Sequence, residues 1–341
     1  MTSEKATIND IARAADVSKA TVSYVLNRRQ SGFRISEETA IKVLTAAKKL
    51  KYHPDPVAVM LSECRKKPLN LLVASPWLYS QFSDFMAQLN YVLREYEHRS
   101  RLLVSYASYT PGEINQCLRS SVLRRYDAVL VVGTSARDDI WLEKNSEKLP
   151  KVVLMNRQVK GFLSCSGNDS SAVKKLAKYV DFSKYSRFGV VISPRKSYCE
   201  QLRCSGFEEL CESLGYKAER LELTSSNIWD DLHTQIETDD LPMLLFIPQY
   251  KPSALLLTHL CKKKIPVPEQ IGIIAYDRHS LLEQFISPSL TTIDPCLDKM
   301  AEQTLELIFA VREKRRCHSQ VIQAKIKTGE TTININKQEV C

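Results

Sequence analysis

The sequence predicts an N-terminal all-α helix-turn-helix headpiece followed by an α/β core made of two doubly wound subdomains. Three observations predict it. The first 27 residues pattern as two short capped helices around a tight turn. From Leu69 onward, short apolar runs alternate with helical stretches. The excess positive charge of the 341-residue chain is concentrated at its start.

Thr7 is placed as the N-cap of a helix whose apolar face is Ile8, Ile11, Ala12 and Ala15. Asp16 falls where the chain must turn sharply, and Asp tolerates left-handed or bridge geometry better than most residues. Ser18 then caps a second helix that buries Val22, Val25 and Leu26. Its outward side carries Lys19, Ala20, Thr21, Ser23, Tyr24 and Asn27. Such a pair of helices also occurs in plain helical domains. A short polar reading face is nevertheless the helix-turn-helix design for the major groove, so these residues, with the caps Thr7 and Ser18, are candidate DNA contacts. Lys19 can donate to guanine and Ala20 can touch a thymine methyl.

Charge supports the same reading. Residues 1–67 hold 13 Lys or Arg against 7 Asp or Glu, a net +6, while the remaining chain is +3. A basic headpiece on a nearly balanced body is the footprint of a nucleic-acid reader. Arg28, Arg29 and Arg34, in the loop after the second helix, are placed to meet phosphates.

A third helix is predicted after Ser36, with Glu37 and Glu38 in its first turn and Lys48 and Lys49 in its last. Ile41, Val43, Leu44, Ala47 and Leu50 are expected to complete a three-helix core. His53, before Pro54, ends it. Asp55 and Pro56 then suit the start of a helix of about two turns, too short to persist alone in water. Val57, Val59, Met60 and Leu61 give it an apolar side that needs a partner. A simple linker is the alternative.

The core begins with strands at 69–74, 102–106, 127–132 and 152–155, and restarts at 188–192, 243–247 and 271–275. These runs are short and nearly continuously apolar, as in parallel strands covered on both faces. A helix over 84–98 places Phe85, Leu89, Val92, Leu93 and Tyr96 at helical spacing. Doubly wound sheets bind ligands in a cleft beyond the carboxyl ends of their strands.

Other function classes are disfavoured. No apolar run of about eighteen residues appears, and the polar start does not read as a secretion signal, so a cytoplasmic protein is expected. Ten cysteines are scattered without a Cys-x-x-Cys pair; Cys199, Cys204 and Cys211 lack metal-ligand spacing, and neither a metal nor another cofactor is expected. Gly-rich phosphate loops, nucleophile elbows and paired metal histidines are lacking. His53, His98, His233, His259, His279 and His318 are isolated. An enzyme is not expected.

The string Thr7 to Asn27 resembles the DNA-binding headpiece of the lactose/galactose repressor family. It matches that family's Thr-Ile-x-Asp-Ile-Ala-x-x-Ala-x-Val-Ser-x-x-Thr-Val-Ser-x-Val-Leu-Asn pattern at every fixed position. The core resembles the family's periplasmic-binding-protein-like domain through Tyr126–Leu130, Pro150–Arg157, Arg203–Phe207, Ile265–Asp277 and Ser287–Ile293, so the similarity spans about residues 6 to 335. The resemblance implies a headpiece over 1–53, a hinge helix and linker over 54–67, and a core over 68–341. Within the core it implies an N-subdomain of about 68–162 plus 295–322 and a C-subdomain of about 163–294 plus 323–337.

It further implies a sequence-specific regulator of transcription, a repressor by expectation, binding a pseudo-palindromic operator on double-stranded DNA as a homodimer. The hinge helix would pair with its copy and drive Leu61 into the minor groove. The family's tetramers use a leucine-heptad tail; the stretch after Thr331 has no heptads, so a dimer is expected. Tyr24 stands where arginine or histidine is common, which implies a different base preference. For the effector, the resemblance implies Arg203 and Asp277 on polar ligand groups, Asn156 and Arg157 at a strand end facing the cleft, and Tyr79 and Phe82 where an aromatic stacks. That is sugar-like chemistry, although each charge equally fits a structural ion pair.

The departures are instructive. The Ala-x-Asn-Asp loop is replaced by Phe246–Ala254 with Pro248 and Pro252, where Gln249 takes the asparagine's place with a slipped register. The Asn-Pro-Phe-Phe turn becomes Tyr79–Phe82, and the Gly-Val-Asp-Asn stretch becomes Ser166–Asp169. A core answering to a protein partner, or to no ligand, is therefore the alternative. A solute-binding receptor is a remote one.

Overall fold

A computed structural model describes residues 6–26, 35–50, 52, 69–76, 85–89, 91–92, 102–193, 197–223, 232, 242–279 and 282–335. Asn27, Arg28, Arg29, Arg34, the 54–67 segment with Leu61, and Tyr79 and Phe82 lie outside the described residues. The chain divides into two compact units, Met1–Pro68 and Leu69–Cys341.

The first unit contains helices α1 (Ile8–Ala15), α2 (Lys19–Leu26) and α3 (Glu37–Lys49). At the start of α1, the Asp10 carboxylate accepts from the Thr7 backbone N–H at 2.9 Å and from its hydroxyl at 2.7 Å. This lowers the Asp10 pKa below the usual carboxylate range, through the Thr7 side-chain and backbone hydrogen bonds in that order. Asp16 takes the left-handed conformation, φ 50° and ψ 51°, that ends α1 and starts the turn. Ile11, Ala12, Ala15, Val22, Val43, Ala46 and Ala47 form the buried centre, with Ile8, Val25 and Leu26 packed against it.

Two residues depart from expectation. Ile41 and Leu44 are 58% and 53% exposed rather than part of this core. At 3.6 residues per turn, Ala46, Ala47 and Leu50 fall within about 60° of Val43 around the helix. Ile41 lies roughly 160° away and Leu44 about 100° away. The small Ala46 takes the inward place that the larger side chains were expected to fill.

The second unit holds two six-stranded sheets. The first contains β1 (Leu69–Ser75), β2 (Leu102–Ser108), β3 (Ala128–Val132), β4 (Val152–Met155) and β5 (Leu163–Gly167), with β11 (Gln320–Ile322) at its far edge. The second contains β6 (Arg187–Ile192), β7 (Ala218–Glu222), β8 (Met243–Ile247), β9 (Ile271–Tyr276) and β10 (Thr291–Asp294), with β12 (Lys325–Lys327) at its edge. Their orders are β11-β5-β4-β3-β1-β2 and β12-β10-β9-β8-β6-β7. The pairings among these strands are all parallel except that of β10 with β12. The chain thus passes between the sheets after β5, after β10 and after β11.

Five helices matter for the site: α4 (Ala136–Asn145), α5 (Asp169–Lys174), α6 (Tyr198–Ser213), α7 (Tyr250–Lys262) and α8 (Leu297–Glu313). Each sheet is covered on both faces. One face of the first packs on α8 and on Phe85, Met86 and Leu89, and the other packs on α4. For the second sheet the two layers are α5 with α6, and α7. This is the doubly wound pair that the sequence predicts.

The boundary between the halves is a correction. Leu163–Gly167 was expected at the start of the C-subdomain, yet β5 pairs with β4 and β11 in the first sheet. The run Leu-Ser-Cys-Ser-Gly is too small and polar to announce a strand, and only its two neighbours hold it as one. Edge strands β7, β11 and β12 escape the sequence for a related reason: they are short and paired on one side, and β7 and β12 are mostly polar.

Candidate functional site

In the headpiece, the reading helix presents Lys19 and Ala20 to solvent, with Thr21, Ser23 and Tyr24 half-buried beside them. Ser18 Oγ accepts from the Thr21 N–H at 3.1 Å and lies 2.8 Å from the Thr21 hydroxyl. Thr7 is likewise committed to Asp10. Thr7, Ser18 and Thr21 therefore fix the start of each helix, which sets where Lys19 and Ala20 point.

In the core, a cavity of about 410 Å³ lies between the carboxyl ends of the two sheets. Ser75, Thr134 and Asn156 line it from the first half, and Tyr198, Arg203 and Asp277 from the second. Two strand ends approach it in left-handed geometry: Asn156 has φ 55° and Asp277 φ 73°. Both types tolerate that region better than other non-glycine residues. Their N–H groups are anchored across their sheets, Asn156 to the Cys165 carbonyl at 2.9 Å and Asp277 to that of Ile293 at 3.0 Å.

Arg203 projects from α6 into this floor with three of its five N–H groups engaged. Nε donates to Asp169 Oδ1 at 2.9 Å, and Nη1 donates to the Pro248 carbonyl at 2.9 Å and to Asp277 Oδ2 at 3.2 Å. Its guanidinium carbon stands 3.7 Å from the centre of the Tyr276 ring. Burial works against the charge on Arg203, but Asp277 and Asp169 outweigh it and hold its pKa well above the ordinary value. Burial pushes Asp277 upward against the pull of Arg203.

A second buried group sits one turn before Arg203. Glu200 Oε1 accepts from Gln249 Nε2, whereas Glu200 Oε2 has no hydrogen-bond partner among the described residues. Burial raises the Glu200 pKa above the carboxylate range, partly offset by the Gln249 hydrogen bond and by Arg203.

Two contacts join the halves across the cleft. Cys199 Sγ donates to the Asn156 carbonyl at 2.9 Å, its own pKa pushed up to about 12 by burial. The Arg157 guanidinium stacks 3.6 Å from the Tyr198 ring centre and pairs with Asp139. Burial lowers the Arg157 pKa.

Of the effector residues expected from the sequence, the structure brings Asn156, Arg203 and Asp277 to the cavity wall. Arg157 and Gln249 stand behind it, supporting Tyr198 and Glu200 respectively. Sequence reasoning missed Glu200, Asp169, Tyr198 and Tyr276. Glu200 was findable, since three residues before Arg203 on a helix is the same face. Asp169 closes the Ser166–Asp169 departure. Tyr276 carried no signal, because a strand tyrosine reads as core.

Comparison with known proteins agrees with this architecture. Residues 7–55 match the model of the bacterial regulatory proteins, lacI family, and residues 183–332 match a periplasmic binding protein-like domain. The chain is 23% identical over 340 residues to the catabolite repressor/activator of Salmonella typhimurium, covering 96% of both chains. It is 25% identical over 337 residues to the transcriptional repressor PurR of Mannheimia succiniciproducens, covering 94% of this chain and 98% of that one. A 35% identity to the sucrose operon repressor of Klebsiella pneumoniae extends over 157 residues, 46% of each chain. The fold matches a lac repressor dimer bound to operator and an anti-inducer with a TM-score of 0.71 at 18% identity, covering 97% of this chain and 100% of that one. A helix-turn-helix headpiece that opens on the family pattern, followed by the two-sheet core of these regulators, places the chain in the lacI family of bacterial regulatory proteins, DNA-binding regulators of transcription.

Proposed function

We propose that this regulator represses transcription from the cytoplasm by binding a pseudo-palindromic operator as a homodimer, and that a sugar-like small molecule in the core cleft modulates its DNA affinity. The observation that carries the effector reading is the cavity of about 410 Å³, a size suited to a small ligand. An arginine, acceptor carboxyls and aromatic rings converge on it. The Cys199–Asn156 and Tyr198–Arg157 contacts give a ligand something to rearrange, because both cross between the halves. On DNA, Lys19, Ala20 and Tyr24 read bases, while Arg28, Arg29 and Arg34 meet phosphates and Leu61 wedges the minor groove. The 1–53, 54–67 and 68–341 division separates reading, hinge and sensing, with the two core halves meeting after Gly167.

One observation favours a second reading. Three of the five Arg203 N–H groups are already engaged by Asp169, Asp277 and the Pro248 carbonyl, as in a structural arginine, and the core would then answer to a protein partner or to nothing. Calorimetric titration of sugars into the full-length protein, with operator affinity measured by anisotropy at each ligand concentration, separates the two. A ligand that binds and shifts operator affinity supports the sensor, with coupling of about 1–3 kcal/mol that must be reciprocal. Binding without any shift in operator affinity, or no binding at all, overturns it.

A further inference from the structure

Resting on the cleft reading above, we propose that the cavity is built for a glycoside with an apolar aglycone rather than for a free hexose, and that Val132 and Leu297 select the aglycone. The two walls of the cavity differ in kind. The second-half wall carries the charge-bearing residues Glu200, Arg203, Lys251, Asp277, Arg278 and His279. Among the described residues, the first-half wall carries none. Its polar side chains are Ser75, Thr134 and Asn156, and the rest are apolar or glycine. What a ligand can reach sharpens the contrast. Ser75 and Thr134 are each 2% exposed, Phe85 and Met155 no more so, and the Thr134 hydroxyl is spent on Asp139 at 2.5 Å. The half-buried, reachable part of the first wall is therefore Val132, Gly133, Asn156 and Leu297. Val132 ends β3 and Leu297 opens α8. Both pack on the core of the first sheet, which holds them in place. On the opposite wall Asp277 and His279 are half-buried, and Lys251 and Arg278 are exposed.

This division sets what a ligand must present to each side. A free hexose carries hydroxyl groups around its whole edge. Lying across the cleft, it would turn some of them to Val132 and Leu297, where a hydroxyl taken from water finds no partner and binding is weakened. An apolar group on the anomeric oxygen reverses the sign there. Carbon then meets carbon, and affinity rises with the apolar area removed from water. The sugar ring keeps its hydroxyls for the second half, whose Asp277 carboxyl and His279 ring are within a ligand's reach. The same contrast fixes the orientation. The opposite pose would strip water from the hydroxyls at the apolar wall and set the aglycone among charged side chains. A cavity of about 410 Å³ has room for both parts, since pockets of that order enclose drug-sized ligands.

The test is a matched series titrated calorimetrically into the full-length protein. For the gluco and galacto configurations, in both anomers, the phenyl glycoside, the methyl glycoside and the free hexose are compared. The expected result is that, in at least one configuration, the phenyl glycoside binds at one site per chain and about ten-fold or more tightly than the other two. The two glycosides share the sugar and the blocked anomeric oxygen, so their difference isolates the apolar group. Val132→Thr with Leu297→Asn, checked for an unchanged thermal unfolding midpoint, keeps side-chain size and makes the wall polar. It should bring phenyl and methyl glycosides to within about two-fold of each other while leaving methyl glycoside affinity within about two-fold of the unaltered protein. A hexose or methyl glycoside that binds as tightly as the phenyl glycoside overturns this proposal and leaves the sugar cleft standing. An undiminished phenyl advantage in the variant, or equal losses for both glycosides, overturns the role given to Val132 and Leu297. No binding in any series overturns both this proposal and the cleft reading beneath it. Should the double variant unfold, Val132→Thr alone takes its place, and the three-way comparison on the unaltered protein still decides the ligand class.

Discussion

At the scale of single residues, the cleft is a set of buried charges whose balance has measurable consequences. Arg203 holds two carboxylates, and its side chain and that of Asp169 are 8% and 5% exposed. Removing it leaves Asp169 without its cation in a dry site, and such losses cost about 3–5 kcal/mol. Arg203→Ala should therefore lower stability in urea by that order, and Arg203→Ala with Asp169→Ala by less than the sum. Strict additivity would show that the pair is not coupled. Glu200 gives a pH test. Its folded pKa is raised by burial, so between the ordinary carboxylate pKa and the raised one the folded chain binds more protons than the unfolded chain. The stabilisation is full below the ordinary value and is lost as pH rises through the raised one. Glu200→Gln removes this contribution, and its stability should fall less steeply with pH than that of the unaltered protein, with Asp277 still contributing a slope of the same sign. An identical pH profile in the two proteins would contradict the assignment. In the headpiece, Tyr24→Ala should alter base preference at one operator position by about 1–3 kcal/mol, read by competition among operator variants. An equal loss for all sequences would make Tyr24 a backbone contact.

At the scale of elements, α5 and α6 meet so closely that no side chain fits between them at Gly206. A Cβ there would stand 2.9 Å from Ser170 Cα and 3.0 Å from Ser170 O, both backbone atoms that cannot swing aside. Gly206→Ala should cost about 1–3 kcal/mol through overpacking. It should also disturb the cleft, because α5 carries Asp169 and α6 carries Arg203. Gly215, just beyond α6, makes the contrast. Its φ is +83° with nothing within 4 Å, so Gly215→Ala meets only backbone strain, about 1 kcal/mol, with no effect on the cleft. Urea unfolding and ligand affinity, measured together, separate the two. If Gly206→Ala behaved like Gly215→Ala, the close approach of the two helices would not matter for the site. The same scale explains the misplacement of Ile41 and Leu44 in α3. Apolar residues were counted there, but the angle around the helix decides which of them face inward.

At the scale of the whole molecule, the headpiece buries a core of a few small side chains, and one copy on one half-site has little surface with which to hold DNA. A homodimer on two half-sites is expected, with affinity falling steeply with salt because the basic residues displace counterions. Sedimentation with operator should give two chains per duplex; a monomer saturating a single half-site would remove the basis for the hinge pairing. The sequence by itself determined the headpiece and the alternation that makes two doubly wound sheets, while the family resemblance carried Arg203 and Asp277 to the cleft. These rest on local signals: caps, turns, apolar periodicity and a continuous motif. It could not show that β5 belongs to the first sheet, that Arg157 and Gln249 stand behind the wall, or that Arg203 is held by two aspartates and a backbone carbonyl. Those facts depend on partners far apart along the chain. Asp169, Pro248 and Asp277 reach Arg203 only after three separate segments of the second half converge on α6. That one Glu200 oxygen lacks a hydrogen-bond partner among the described residues is likewise a property of the assembled cleft, because whether a buried acid has a partner is decided by what packs around it.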